Sequence, residues 1–154
     1  MTASGKRQRR HSSFRADRRR VGASLLFEAV DTGDVAILDK FLTPDYHDHD
    51  PPPFPGLAPG MEGARQAFQY ALDAFSDFRH TIEDQVAEGD KVVTSITGYG
   101  THTGEFLGIA PTGKEVSMRG IAIHRIANGK LAEHWGRVDN VGLLIQLGAI
   151  PAPG

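Results

Sequence analysis

The chain contains no cysteine, one tryptophan and no long apolar run. Without cysteine there is no disulfide framework, no thiolate metal site and no cysteine nucleophile. Proton chemistry, if any, falls to histidine, aspartate and glutamate. No stretch approaches the ~18 apolar residues that a membrane-crossing helix requires. At 154 residues the chain has room for one domain with a real core.

Net charge is also nearly absent, at −2, but that figure conceals a division. Residues 1–20 hold eight basic side chains against Asp17 alone, a balance of +7. The other 134 residues hold nine basic and 18 acidic side chains, a balance of −9. The basic arm has almost no apolar residues to bury and is expected to be disordered. No apolar segment follows its charges as in a secretory leader, so a cytoplasmic protein is expected. Nucleic-acid contact and a transit peptide rich in Arg and Ser are two readings of such an arm, and an extension without a role is the third and the one adopted. The expected organisation is an arm over 1–20, a domain over 21–150 and a flexible tail over 151–154.

Helical spacing of Leu25, Leu26, Ala29 and Val30 predicts a helix over Val21–Asp31. Asp34 is placed to cap a second helix over Val35–Leu42, ended by Thr43-Pro44. A lid-like loop follows through Pro51–Gly56, and then a third helix over about Met61–Phe75 with an apolar face. From Phe78 the period changes to two. Strands are expected over Arg79–Ala87, Val92–Thr103, Glu115–Ile126 and Leu131–Asp139, with a short helix or turn over Gly142–Leu147. Helices first and an antiparallel meander after them make the class α+β.

Gly108–Lys114 matches seven positions of a phosphate-binding P-loop, but Glu115 stands where a magnesium-binding Ser or Thr belongs. Pro111 removes a backbone N–H as well. This segment reads as a connection between strands. His47-Asp48-His49-Asp50 has three readings: alternate zinc ligands, a polar capping turn, or part of a substrate pocket. Metal ligation is not adopted.

His124 and His134 flank Asn128-Gly129, the strongest hairpin signal in the chain. A two-residue type I′ turn pairs Ala127 with Lys130 and sets Ile123 opposite His134. A type I turn with a bulge at Gly129 pairs Ile126 with Lys130 and sets Ala122 opposite His134. Only the second register puts both histidines on one face, and it is the preferred one. Two imidazoles on one concave face could exchange protons near neutral pH.

Five segments taken in order resemble the SnoaL-like polyketide cyclases, also called ester cyclases. They are Tyr46–Pro51, Gly104–Gly108, Pro111–Lys114, Asn128–Trp135 and the tail Asp139–Gly148. The resemblance spans about Val21–Ile150. It implies a nuclear transport factor 2-like fold, a cone-shaped curved antiparallel sheet packed with N-terminal helices around one deep pocket. It also implies a small-molecule substrate, no cofactor and no metal, with a ring closed by intramolecular aldol chemistry. A non-catalytic ligand-binding or scaffold member of the same fold is the alternative.

Carried over by residue, the resemblance makes His134 a proton-handling group and gives Asp48 and His49 a place in substrate binding. Trp135 would form pocket wall. The family's catalytic carboxylate falls at Gly136 and its partner histidine at Ala122, so His124 becomes the second catalytic candidate. Asp139, further along the same strand, is a candidate for substrate contact. Ile121, Ile123 and Ile126 suggest an apolar outer sheet face, on which a homodimer is expected.

Overall fold

A computed structural model describes Asp17, Arg20 and residues 22–154. The basic arm otherwise lies outside the described residues. Helix α1 (residues 22–31) buries Leu26, Ala29 and Val30 of the expected stripe together with Ala23 and Phe27, while Leu25, also expected inside, is exposed. Asp34 caps the next segment as expected, its carboxylate accepting from Ala36 N at 3.0 Å. That segment is a single stretch of 3₁₀-helix, Val35–Lys40, and not a longer α-helix.

The expected continuation through Leu42 is corrected. Leu42–Asp48 is a strand, β1, and Thr43-Pro44 lies inside it. β1 is an edge strand running parallel to the last strand. An edge tolerates a proline because one side of the backbone needs no donor. A register shift between Leu42 and His47 accommodates the irregular middle.

Helix α2 (Gly60–Ala74) runs without a connecting loop into β2 (Phe75–Glu88). Then follow β3 (Lys91–His102), β4 (Glu115–Ala127), β5 (Lys130–Val138) and helix α3 (Asn140–Gln146). The five strands form one curved sheet in the order β1-β5-β4-β3-β2. All neighbours are antiparallel except β1 with β5. The sheet is open, with β1 and β2 as its two edges. Bulges between Ser76 and Arg79 and between Ile82 and Asp84 bend β2. The second also turns Val86 outward, leaving it 56% exposed.

The P-loop-like segment is a strand-to-strand connection between β3 and β4. Among the described residues, no helix is long and apolar enough to cross a membrane.

Among the apolar clusters of the described residues, two larger ones brace the helices against the sheet. Leu26, Val30, Leu38, Leu42, Tyr46 and Leu131 tie α1, the 3₁₀ segment, β1 and β5 together. Ala74, Phe75, Phe106, Val116, Leu143 and Leu147 close the opposite end. Each fully buried leucine there contributes about 2 kcal/mol. The two clusters leave a cavity between α2, the proline loop and the concave face of the sheet.

Candidate active site

The β4–β5 hairpin decides what faces the cavity. Asn128 and Gly129 both have positive φ, 52° and 78°, as a two-residue type I′ turn demands. Ala127 accordingly pairs with Lys130, and the preferred bulge at Gly129 is corrected. By itself this turn would set Ile123 opposite His134. The extra residue sits further on: Ile126 pairs with Leu131 but Arg125 pairs with Glu133, leaving Ala132 unmatched. That one-residue slip sets His124 directly opposite His134, on the concave face. Their ring centroids are 5.0 Å apart.

β1 supplies the third group of this row. Asp48 pairs with His134 across the parallel ladder, and its Oδ1 lies 2.9 Å from His134 Nδ1. A carboxylate only accepts, so Nδ1 carries a hydrogen, and in the neutral ring Nε2 is left with the lone pair. Asp48 Oδ1 also accepts from Asp50 N at 2.9 Å. The aspartate is thus both the capping residue of a polar turn and the orienting partner of a histidine.

Gly136 explains the direction of that imidazole. A Cβ on residue 136 would stand 2.7 Å from both Cε1 and Nε2 of His134. The ring edge therefore fills the space in which a side chain at 136 would begin. Ala122 pairs with Gly136 across the ladder, so two small residues floor the cavity beside the histidine pair. Asp50 reaches the same region, accepting from Gly136 N at 3.2 Å and pairing with Arg137 Nη1 at 2.6 Å. The hydrogen bond from Arg137 holds the Asp50 carboxyl below the usual carboxylate range, so this ion pair stays charged at the rim.

His124 is 3% exposed. Burial, with His134 adding repulsion, pushes its imidazole down to about 3, and it is neutral at physiological pH. Its Nδ1 is buried without a hydrogen-bond partner. Leaving such an atom unpaired costs about 1–3 kcal/mol, a feature that points to function more than to stability. Tyr46 also lines the cavity, and burial followed by the Asp48 charge raises its hydroxyl above the ordinary range.

The cavity holds about 390 Å³. Phe27, Phe68, Ala71, Phe78, Ile96 and Met118 make most of its wall apolar, and Pro51–Phe54 overhang it. A space of this size and character suits a small, largely apolar ligand with a few polar anchors.

The other expected site residues lie elsewhere. Trp135 is beside His134 in sequence and so points to the opposite face of the sheet. There His49 stacks on it at 4.4 Å, with planes 3° apart, and Lys91 Nζ lies 5.1 Å from its ring. Neither Trp135 nor His49 lines the cavity. His49 Nε2 instead meets Glu133 at 2.9 Å. Asp139 caps α3, accepting from Gly142 N at 2.8 Å, beyond the end of β5 and outside the lining. Among the described residues, no three His, Asp or Glu side chains gather as a metal site.

One pair was missed. His80 on β2 lines the cavity, its Nδ1 2.6 Å from Asp31 Oδ1, while Asp31 Oδ2 accepts from His80 N at 2.9 Å. The inward alternation of Phe78, His80 and Ile82 was available to mark the histidine. Nothing local marks its partner, 49 positions away.

Fold and site together define a small open-sheet pocket protein whose cavity floor carries carboxylate-oriented imidazole. The chain belongs to the SnoaL-like polyketide cyclase family, whose profile matches residues 22–147. It is 33% identical to the aklanonic acid methyl ester cyclase DauD of Streptomyces sp. strain C5, over 80% of this chain and 77% of that one. It is 29% identical to the nogalonic acid methyl ester cyclase of Streptomyces nogalater, over 80% and 92%. Among solved structures it is similar to TsrD from Streptomyces laurentii, at 34% identity and TM-score 0.77, covering 87% of this chain and 97% of that one.

Proposed function

We propose that this protein is a cofactor-independent cyclase or isomerase acting on a polyketide-like carbonyl substrate by acid–base chemistry in the cytoplasm. The Asp48–His134 pair, with its Nε2 edge over Gly136 beside the neutral His124, is the observation that carries this reading.

His134 Nε2 is the base. It removes a proton from the carbon next to a carbonyl, and Asp48 holds the ring in the tautomer that leaves Nε2 free while stabilising the imidazolium that forms. His124 is uncharged, so it serves the developing enolate as a hydrogen-bond donor. The apolar wall folds a flexible chain so that its two reacting carbons meet. His49, Trp135 and Asp139 receive no substrate contact in this scheme.

Incubation with nogalonic or aklanonic acid methyl ester tests the proposal. The expected product has the substrate's mass and a new chromatographic retention, because ring closure by aldol addition changes no atom count. No conversion of these esters or of shorter β-dicarbonyl esters, with tight binding retained, favours the second reading. That reading is a non-catalytic ligand-binding protein, and the small Ala122–Gly136 floor at the family's two proton-handling positions speaks for it.

A homodimer through the outer sheet face is also proposed. Val86, Val93, Ile123 and Trp135 follow one another across β2, β3, β4 and β5 on that face, and Ile121 beside them is 54% exposed. Ile126, expected in the same patch, packs into the core against Leu131 and its neighbours. A charge at the centre of such a contact separates the copies, so Trp135→Arg is expected to turn a sedimenting dimer into a monomer. A parent protein that is already monomeric at micromolar concentration overturns the dimer.

A further inference from the structure

The cavity contains a second carboxylate-oriented imidazole, built like the first. Asp31 accepts a hydrogen bond from His80 Nδ1 as Asp48 does from His134 Nδ1. Each ring then lies over a glycine: His134 over Gly136, and His80 over Gly98, whose Cβ position is 3.8 Å from His80 Cδ2 and 3.9 Å from Nε2. Gly98 and His80 are paired across β2 and β3, and both line the cavity. The absent side chain at 98 leaves the Nε2 edge of His80 open to whatever the cavity holds.

The placement of Asp31 also bears on its purpose. It is the last residue of α1, where the carboxylate meets the negative end of the helix dipole. Stability alone favours a basic or neutral residue there. The carboxylate is spent on His80, which it grips through both its backbone N–H and its ring. Phe27 touches both His80 and His124, with ring centroids 5.2 and 6.2 Å away. The two dyads therefore look into one apolar space from different strands, with Phe27 and His124 between them.

We infer that His80 is a second proton-transfer residue, serving the oxygen of the substrate while His134 serves the carbon. The inference rests on the acid–base reading of the cavity given above. In an aldol closure the C–H bond next to one carbonyl breaks, and its proton goes to His134 Nε2. The electron pair left on carbon forms the new C–C bond to the second carbonyl carbon. That carbonyl's π pair moves to its oxygen, which takes the Nε2 proton of a His80 imidazolium. The Nδ1 hydrogen stays on His80, donated to Asp31, throughout. One proton passed from His134 to solvent and one from solvent to His80 restore both rings. The substrate class that fits carries two carbonyl groups held apart by an apolar body.

The test uses the full chain with ¹⁵N-labelled histidine and 1,8-dihydroxyanthraquinone, a planar probe whose phenol–carbonyl edge imitates an enol. Long-range ring spectra are expected to report hydrogen on Nδ1 of both histidines and on Nε2 of His80 as well, and the probe is expected to move the Nε2 signals of both. His80→Gln, and Gly98→Val, which covers Nε2 while leaving the Asp31–His80 pair intact, should each weaken binding about tenfold, the worth of one charge-assisted hydrogen bond. Both should keep the His134 response. If the probe moves His134 but not His80, or if both variants bind within about twofold of the parent, His80 has only the structural task of joining α1 to β2 and the inference is overturned. If neither histidine responds to bound probe, the acid–base reading of the cavity falls first.

Discussion

His134→Ala is expected to lower kcat/KM for ring closure about 10³-fold, with the fold and the cavity retained. General-base catalysis by a positioned side chain contributes about 10²–10⁴, and His134 is the imidazole whose free nitrogen overlies the cavity floor. Asp48→Asn should cost less, about 10²-fold, because an amide can still accept from Nδ1 but stabilises no imidazolium. Gly136→Asp separates this mechanism from one that depends on a carboxylate at 136. If the carboxylate were merely missing, restoring it would raise activity. Here the new Cβ would lie 2.7 Å from Cε1 and Nε2 of His134, so the ring must leave its Asp48 partner to make room. Activity should fall, and a gain in Gly136→Asp would sink the assignment of His134 as base. Assays of the three variants beside circular dichroism decide the matter.

What the sequence made legible was mostly local. The Asp34 cap, the span of α2, the strands on either side of Asn128-Gly129 and the strand setting of the P-loop-like segment each rest on a few neighbouring residues. β1 escaped notice because Thr43-Pro44 imitates a helix stop, and only its edge position shows why proline is tolerated. The hairpin register was settled by Ala132, an alanine whose sequence context carries no bulge signal. The position of Trp135 was available in principle. Once His134 faces the cavity, strand alternation sends its neighbour to the other side. His80 and Asp31 meet only through tertiary packing, and no spacing rule joins a helix terminus to a strand 49 residues later.

The second large effect concerns acid. Folded His124 titrates at about 3 against an ordinary 6.5, chiefly because it is buried and next because His134 stands beside it. Between those values the unfolded chain binds a proton at this residue and the folded chain does not. Stability from this group is therefore complete above about pH 6.5 and falls as the pH drops toward 3, by about 1.4 kcal/mol per unit. Urea midpoints of the parent and of His124→Gln, measured from pH 8 to pH 4, isolate the term. The parent's curve should be steeper by roughly that amount per unit below pH 6.5, so that its stability relative to the variant falls steadily toward the acid end. Parallel curves would mean that His124 is not held neutral by the fold. The same burial fixes what His124 can contribute to the reaction. A ring held neutral that far into acid is a weak base, which in the proposed reaction favours His134 as the acceptor of the carbon's proton and leaves His124 to aim an N–H at the enolate.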